Sequence, residues 1–243
     1  MFSFIWHTFF FDPIYNMLVF FVDTFPHGDV GLAIVATVLL VKLVLLPLSI
    51  KALQTQKIMR EIEPKLKEIR ETHKTDKEAQ AKATMAIYKE AKLNPFASIF
   101  LVFLQIPIVI ALYYAVYSGS AGIALPNINP AILYSFIPVP EAVSMIFLGL
   151  FDISQKSLVL ALLAGVTQYL YVHLSMPKLP QKKEGVTPDL KEDFMRNMQL
   201  QMKYVMPVII TVIAYTISAT IALYFLVSNL AAIAQEFYIR KHR

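Results

Sequence analysis

Cysteine is absent from this chain of 243 residues. The absence excludes disulfides, a thiol nucleophile and any zinc or iron–sulfur site held by cysteine. Charged side chains are also scarce, at 16% of the residues, whereas hydrophobic residues make up 57%. A soluble core of this length cannot hide so much apolar surface from water, so lipid is the solvent for much of the protein.

Signals of catalysis are missing as well. The five histidines are scattered and show no metal-ligand spacing such as HxxxH. No Walker A pattern is present, and the Gly/Ser run at 118–122 lacks the G-x-S-x-G pattern of a nucleophile loop. The sequence therefore predicts a protein that is not an enzyme and that binds no cofactor and no metal.

Three apolar stretches are long enough to cross the membrane. Residues 30–50, 95–117 and 157–176 each approach the ~20 residues that a helix needs to cross about 30 Å of hydrocarbon. A fourth stretch, 204–238, is too long for one span at ~1.5 Å per residue. Ser and Thr cluster at 215–220, where they can satisfy backbone groups at a bend, so we expect two helices there.

The N-terminal region carries no Lys or Arg, so it lacks the basic start of a secretory signal peptide. We expect Asp12-Pro13 to interrupt it. A continuous span here would also carry Asn16 and Asp23. The preferred interpretation is a helix lying in the outer interface with Trp6 among its aromatic anchors, and the alternative is a true span.

Basic residues are concentrated in three places. Eleven Lys/Arg lie in 51–92, six in 178–203 and three in the tail, whereas 1–41 and 118–155 contain none. The positive-inside rule then places the three basic regions in the cytoplasm and the N-terminus outside. The loop before residue 204 and the tail share a side only if 204–238 crosses twice, which predicts five spans.

The first cytoplasmic region has a helical pattern. Ile58, Ile62 and Leu66 recur at helical spacing, and a second helical stretch follows a break near Lys74–Lys77. We interpret the region as a helical hairpin in which Pro64 kinks the first arm. The alternative is a merely solvated, charged loop.

The fold class is therefore an all-α polytopic membrane protein, N-terminus out and C-terminus in. No internal repeat is visible, which weakly disfavours transporter folds built from repeated halves. The expected segments are 1–29 (outer interfacial helix), 30–50 (first span), 51–93 (cytoplasmic helical hairpin), 95–117 (second span), 118–155 (outer segment), 157–176 (third span), 177–203 (cytoplasmic loop), 204–216 (fourth span), 218–238 (fifth span) and 239–243 (basic tail).

Lys42 is the first candidate functional residue, because a cation near the membrane centre costs ~2.5–3.5 kcal/mol on insertion scales. It lies twelve residues after Val30, ~18 Å along the helix and past the midplane. One interpretation is a side chain that snorkels to the inner headgroups. The other is a charge in a water-filled recess that attracts acidic or polar groups entering the bilayer.

Other polar residues occur at membrane depth. They either hold helices together by hydrogen bonds or line the same recess as Lys42. Their helical faces cannot be compared between spans from sequence alone. The main candidates are Gln105, Gln168, Thr211 and Asn229, joined by Thr216, Ser228 and Gln235.

Several motifs together resemble those of YidC/Oxa membrane insertases over roughly residues 30–240. Some lie in the second span and others in the last two. They are Asn94-Pro95-Phe96, Gln105-Ile106-Pro107-Ile108, Ala111-Leu112-Tyr113-Tyr114, Met206-Pro207-Val208, Leu223-Tyr224-Phe225 and Ser228-Asn229-Leu230.

The resemblance implies a five-helix core around a hydrophilic groove that is closed to the outside and open to the cytoplasm and the lipid. Lys42, ahead of Leu45-Leu46-Pro47, matches the cationic groove residue, which is usually Arg. Lys keeps the charge without the bidentate fork of Arg. Gln168 resembles a groove-lining position, Phe225 stands where Trp or Tyr is common, and Pro64-Lys65 resembles a pair in the hairpin.

The resemblance further implies an insertase that moves hydrophobic segments of nascent proteins from the cytoplasm into the bilayer without nucleotide hydrolysis. Its partners would be nascent membrane proteins and lipid, with the ribosome and the Sec translocon as candidates and no nucleic acid specificity. Its location would be the bacterial plasma membrane. The rival interpretations are a small-solute or ion transporter or channel, with Lys42 as an anion or proton site, and a membrane scaffold.

Overall fold

The computed structural model describes residues 2–91, 93, 96–116, 124–175 and 197–241. Nearly all regular structure in these ranges is helical, which confirms an all-α membrane protein. A short antiparallel hairpin pairs β1 (Ile146–Phe147) with β2 (Phe151–Asp152). The helices are α1 (Phe2–Trp6), α2 (Asp12–Thr24), α3 (Val30–Val44), α4 (Leu46–Thr72), α5 (Lys77–Glu90), α6 (Phe96–Val116), α7 (Leu158–Ser175), α8 (Met206–Ile217) and α9 (Ala219–Lys241).

Four helical stretches among the described residues are long and apolar enough to cross a membrane, and a bent pair of helices is a fifth candidate. Phe103–Val116 in α6 is apolar but shorter. Orientation and the count of five spans remain predictions. The four stretches are Ser3–Thr24, Leu158–Ser175, Asn197–Ile217 and Ala219–Ile239, and the bent pair is Val30–Val44 with Leu46–Thr55.

The N-terminal helix does not break at Asp12-Pro13, contrary to expectation. A π-helical turn, His7–Phe11, joins α1 to α2, and the Asp12 N–H donates to the carbonyl of His7, five residues back. This wider turn accommodates Pro13, which has no N–H to donate. The continuous helix is long enough to span, and its expected place in the outer interface remains a prediction.

The apolar helix that begins at Val30 breaks at Leu45. Pro47 stands in the first turn of α4, where its missing N–H leaves no intrahelical bond unmade. The Ser49 hydroxyl donates to the Leu46 carbonyl at 2.9 Å and satisfies a backbone acceptor beside the break. The stretch expected as one helix from 30 to 50 is therefore two.

Residues 43–107 form one compact unit. In it, α4 and α5 pack as a helical pair through a cluster of Ile62, Leu66 and Leu93. The connection between them is short, and Asp76 caps α5 by accepting hydrogen bonds from the N–H groups of Glu78 and Ala79. Helix α4 runs through Pro64.

Residues 1–42 and 108–243 form the other compact unit. Within it, α7, α8 and α9 pack against one another. Helix α8 ends at Ile217, Ser218 is extended, and α9 begins at Ala219. The bend therefore lies inside the 215–220 stretch where Ser and Thr cluster.

The segment expected outside the membrane, 118–155, is described from residue 124 onward. This part, together with residues 156 and 157, is called the outer segment below, and it is bonded to the first turns of two helices. The Val30 N–H donates to the Ser144 carbonyl at 3.0 Å, and the Ala219 N–H donates to the Gln155 carbonyl at 2.8 Å. The Thr220 hydroxyl donates to the Ile153 carbonyl at 2.9 Å. The free N–H groups at the starts of α3 and α9 thus find acceptors in the outer segment.

Two buried side chains add to these connections. Asn16 donates to the Ile132 carbonyl at 2.9 Å and accepts from the Tyr134 N–H at 2.6 Å. Asp29 accepts from the Leu32 N–H at 3.0 Å and from the Leu148 N–H at 2.8 Å. Because both are satisfied by distant backbone groups, they hold the outer segment to the helices that precede it.

Replacing Asp29 by Ala is expected to lower the free energy of unfolding by about 2 kcal/mol, because α3 loses its cap and two N–H groups lose their acceptor. Circular dichroism melting of the purified protein in detergent measures the change. The free energy of unfolding of Asp29→Asn should lie between those of the wild type and Asp29→Ala, since the Asn amide keeps one acceptor oxygen. The control is Asp23→Ala at an exposed position of α2; equal melting temperatures for the two Ala variants would contradict the capping role.

Candidate functional site

Lys42 lies in the last turn of α3 and is half-buried. Val38, four residues earlier, is buried, whereas Leu39 and Leu43 are exposed. Residues three and four apart share one face of a helix, so Lys42 lies between buried Val38 and exposed Leu39, at the edge of the buried side. Within the described ranges, no hydrogen bond or ion pair reaches its ammonium group.

Thr37 is a second polar residue on α3 and is fully buried. Its hydroxyl oxygen has no hydrogen-bond partner in the part of the chain that the structure describes. Five residues separate it from Lys42, or ~7.5 Å along the helix. Helix α3 therefore carries a buried hydroxyl as well as the charge of Lys42. The sequence pattern did not single out Thr37.

Two other predicted site residues in the same unit are half-buried. Gln168 lies in the second half of α7, and Phe225 lies in α9. The Phe225 ring packs edge-on to the Tyr224 ring, with 5.5 Å between the ring centroids. Gln105 is also half-buried and lies in α6, in the unit of residues 43–107.

Thr211 lies at the crossing of α7 and α8. Its hydroxyl donates to the Pro207 carbonyl of its own helix at 2.9 Å. A Cβ added to Gly165 of α7 would collide with that same hydroxyl oxygen. Gly165 therefore allows the two helices to approach closely, as small residues do in membrane helix pairs.

Asn229 lies at the contact between α9 and α7 and is buried. Its amide donates to the Ala164 carbonyl at 3.3 Å and to the Thr167 hydroxyl at 3.4 Å. This is the geometry of a polar side chain that joins two helices in lipid. Thr211 and Asn229 thus both lie at helix contacts along α7.

Pro64 and Lys65 are exposed on α4. Ile62 and Leu66, on either side of them in sequence, are buried in the contact with α5. The pair therefore lies on the face of the helix turned away from α5.

These groups can form hydrogen bonds and attract anions. The unit that contains Lys42 also supplies the amide of Gln168 and the ring of Phe225. Among the residues that the structure describes, no three His, Asp or Glu side chains gather in a way that could hold a metal ion.

Comparison with known families decides the classification. A family model described as 60Kd inner membrane protein matches residues 21–243, nearly the whole chain. The chain belongs to the 60Kd inner membrane protein family. Membership confirms the resemblance to YidC/Oxa insertases and marks a multi-pass protein of the bacterial plasma membrane.

Individual members of this family are similar over most of the chain. The membrane protein insertase YidC of Oceanobacillus iheyensis is 30% identical over 98% of this chain and 84% of its own length. The YidC of Clostridium tetani is 31% identical over 90% of this chain and 84% of its own length. The YidC of Shewanella woodyi is 30% identical over 93% of this chain but only 36% of its own length. These names do not favour the transporter or channel interpretation.

Besides Thr37, three residues with structural roles are not predicted from the sequence: Asn16, Asp29 and Gly165. The sequence pattern marks Asn16 only as a polar residue that a span would have to carry. Only Asp29 carried a local signal, since an Asp directly before an apolar helix is a common cap. The partners of the other two are far away in sequence.

The crossing of α7 and α8 can be tested at Gly165. Gly165→Ala is expected to lower the free energy of unfolding by about 1–3 kcal/mol, because the new Cβ meets the Thr211 hydroxyl in a close-packed contact. Adding Thr211→Ala should restore much of the loss by removing that oxygen. Melting in detergent measures both, and Val166→Ala at an exposed position of α7 is the control; an unchanged melting temperature for Gly165→Ala would refute the close approach.

Proposed function

We propose that this chain is a membrane protein insertase that accepts hydrophobic segments of nascent proteins from the cytoplasm and releases them into the bilayer. Membership in the family and the names of its relatives support this function. The observation that carries the mechanism is Lys42, half-buried on a helix whose only other polar residue is Thr37.

Lys42 belongs to a hydrated recess in this proposal. A lysine in dry hydrocarbon at this depth would be costly, at ~2.5–3.5 kcal/mol. Its place one turn after buried Val38, at the edge of the buried side of α3, supports a side chain that reaches a recess rather than acyl chains. The hydroxyl of Thr37 is a further polar group buried on α3.

The recess opens toward the cytoplasm in this mechanism. Support comes from the outer end of the bundle, where the first turns of α3 and α9 are bonded to the outer segment. A substrate would therefore enter from the side of Lys42. Its short polar flank would be attracted by the ammonium group while its apolar helix stays near lipid.

The other predicted residues divide into two roles. We assign the half-buried Gln168 and Phe225 to the lining of the groove, together with Gln105 on sequence grounds. Thr211 and Asn229 act at helix contacts and keep the walls in place, which fits their hydrogen bonds. Substitution of a wall residue should therefore lower the stability of the fold more than substitution of a lining residue.

The energy for insertion comes from transfer of the substrate into lipid. Burying apolar surface is favourable by about 25 cal/mol per Å², and a wet groove lowers the cost of moving the polar flank through hydrocarbon. The step needs no nucleotide and changes no covalent bond. The chain is therefore proposed to act as a catalyst of insertion without being an enzyme in the covalent sense.

Lys42→Ala is expected to slow insertion of a one-span substrate with an acidic translocated tail by about tenfold, equivalent to ~1.4 kcal/mol. The loss follows from removal of the attracting charge. Lys42→Arg should retain most of the rate, since the mechanism requires a point charge rather than a fixed fork. Insertion is measured by protease protection of the tail in proteoliposomes.

The matched control removes the same charge at Lys156, which is exposed in the outer segment. Lys156→Ala should insert the substrate at the wild-type rate. A substrate with a neutral tail should be less sensitive to Lys42→Ala than the acidic one. Equal insertion of the acidic substrate by Lys42→Ala and wild type would exclude charge attraction.

The α4–α5 hairpin is proposed to receive substrates in the cytoplasm. Its basic sequence supports a cytoplasmic location, and Lys65 is exposed beside Pro64 on the face turned away from α5. The ribosome and the Sec translocon are the proposed partners that would deliver a nascent chain to this side.

Removing the hairpin should impair delivery without unfolding the bundle. Met59 and Ala91 both pack against the Ile62–Leu66–Leu93 cluster, so these two residues are close together. A short Gly/Ser linker can therefore replace residues 60–90. We expect ribosome-coupled insertion to fall severalfold while the melting temperature stays within a few degrees of wild type. Normal coupled insertion by this variant would refute the delivery role.

A further inference from the structure

The β1–β2 hairpin ends in an exposed apolar turn. Its residues Phe147–Leu150 are closed by a hydrogen bond from the Leu150 N–H to the Phe147 carbonyl at 2.9 Å. Leu148 and Leu150 are 57% and 75% exposed. No charged residue occurs from Ala142 to Phe151. Two largely exposed leucines therefore stand at the tip of the hairpin, whose one charged residue, Asp152, lies at the far end of β2.

The backbone of this turn does not explain why Leu148 is there. Leu148 and Gly149 have φ values of +52° and +71°. Turns with two positive φ values favour Asn, Asp or Gly, and a leucine in the left-handed region is disfavoured. An exposed leucine at a strained position gains nothing from water, which points to an apolar surrounding for its side chain.

The turn lies level with the start of a membrane span. The ring of Phe147 occupies the space that a Cβ on Gly31 would need, and Gly31 is in the first turn of α3. The Leu148 N–H donates to Asp29, the residue that caps the same helix. These contacts place the tip beside the first turn of α3, which belongs to a candidate membrane span.

We infer that the turn Phe147–Leu150 anchors the outer segment to the lipid of the outer leaflet, with Leu148 and Leu150 inserted at the interface. Lipid is favoured over a protein partner because the exposed, apolar tip adjoins the first turn of an apolar helix that is a candidate part of a membrane span. The anchor would hold the outer segment down over the starts of α3 and α9. It does not depend on insertase activity.

The test uses the absence of cysteine. Leu150→Cys and, as a matched control, Glu141→Cys each give the full chain a single site for an environment-sensitive fluorophore; both positions are exposed in the outer segment. The labelled proteins are reconstituted in phosphatidylcholine–phosphatidylglycerol vesicles. Quenching by nitroxide lipids reports contact with lipid, and quenching by iodide on both sides of the membrane reports contact with water.

Quenching by nitroxide lipid is expected to be severalfold stronger at residue 150 than at residue 141, with the reverse order for iodide. Equal iodide quenching at both sites would overturn the inference. Protection of residue 150 from both quenchers would also overturn it, since it indicates a protein cover; a disulfide between two copies of Leu150→Cys would then identify a second copy.

A second variant separates anchoring from the folding of the turn. Leu148→Asn suits the positive φ better, so the melting temperature in detergent should be unchanged or higher. In vesicles, the same change should reduce lipid quenching of the label at residue 150. Unreduced lipid quenching would show that Leu148 is no anchor. The same measurements in a Lys42→Ala background should give the same result, so failure of the insertase mechanism and failure of the anchor are distinguishable.

Discussion

A charged amine on an apolar helix is tolerated in a membrane only where water can still reach it. That constraint applies to Lys42, which is half-buried in the last turn of α3, one turn beyond buried Val38. The proposed hydrated recess, the proposed direction of substrate entry and the expected preference for acidic flanks all depend on it. A neutral residue there would leave α3 an ordinary apolar span, and little else in the described part of the chain would distinguish the protein from a structural bundle.

The outer segment meets a second requirement, that backbone groups at the ends of membrane helices find partners. Carbonyls of Ile153 and Gln155 accept from the start of α9, while Ser144 and Asp29 satisfy the start of α3. Asn16 adds buried bonds to Ile132 and Tyr134. The outer segment is thus held to α2 and to the first turns of α3 and α9 by hydrogen bonds, at the end of α3 remote from Lys42.

Sequence patterns predicted what is local. Apolar length and the distribution of Lys and Arg indicated the helices, and Ser/Thr clustering placed a bend in the stretch that contains Ser218. The continuous helix through Asp12-Pro13 and the break at Leu45 were not predicted, because each depends on a turn geometry that several sequences can adopt. The side of α3 occupied by Lys42 could not be predicted either, since Thr37 is the only other polar residue of this helix and the two do not define one polar face. The contacts of Asn16 and Gly165 lie with residues distant in the chain, beyond the reach of periodicity.

The caps of α9 have an evolutionary consequence. Its first turn is bonded to main-chain carbonyls of residues 153 and 155 rather than to a side chain of its own. Main-chain atoms are common to all amino acids, so the exposed side chain at residue 155 can vary without loss of its bond to α9, whereas Ile153 is also constrained by its burial. An insertion or deletion between 153 and 158 would instead shift the carbonyls out of register with α9. Homologues should accordingly vary at residue 155 while conserving loop length.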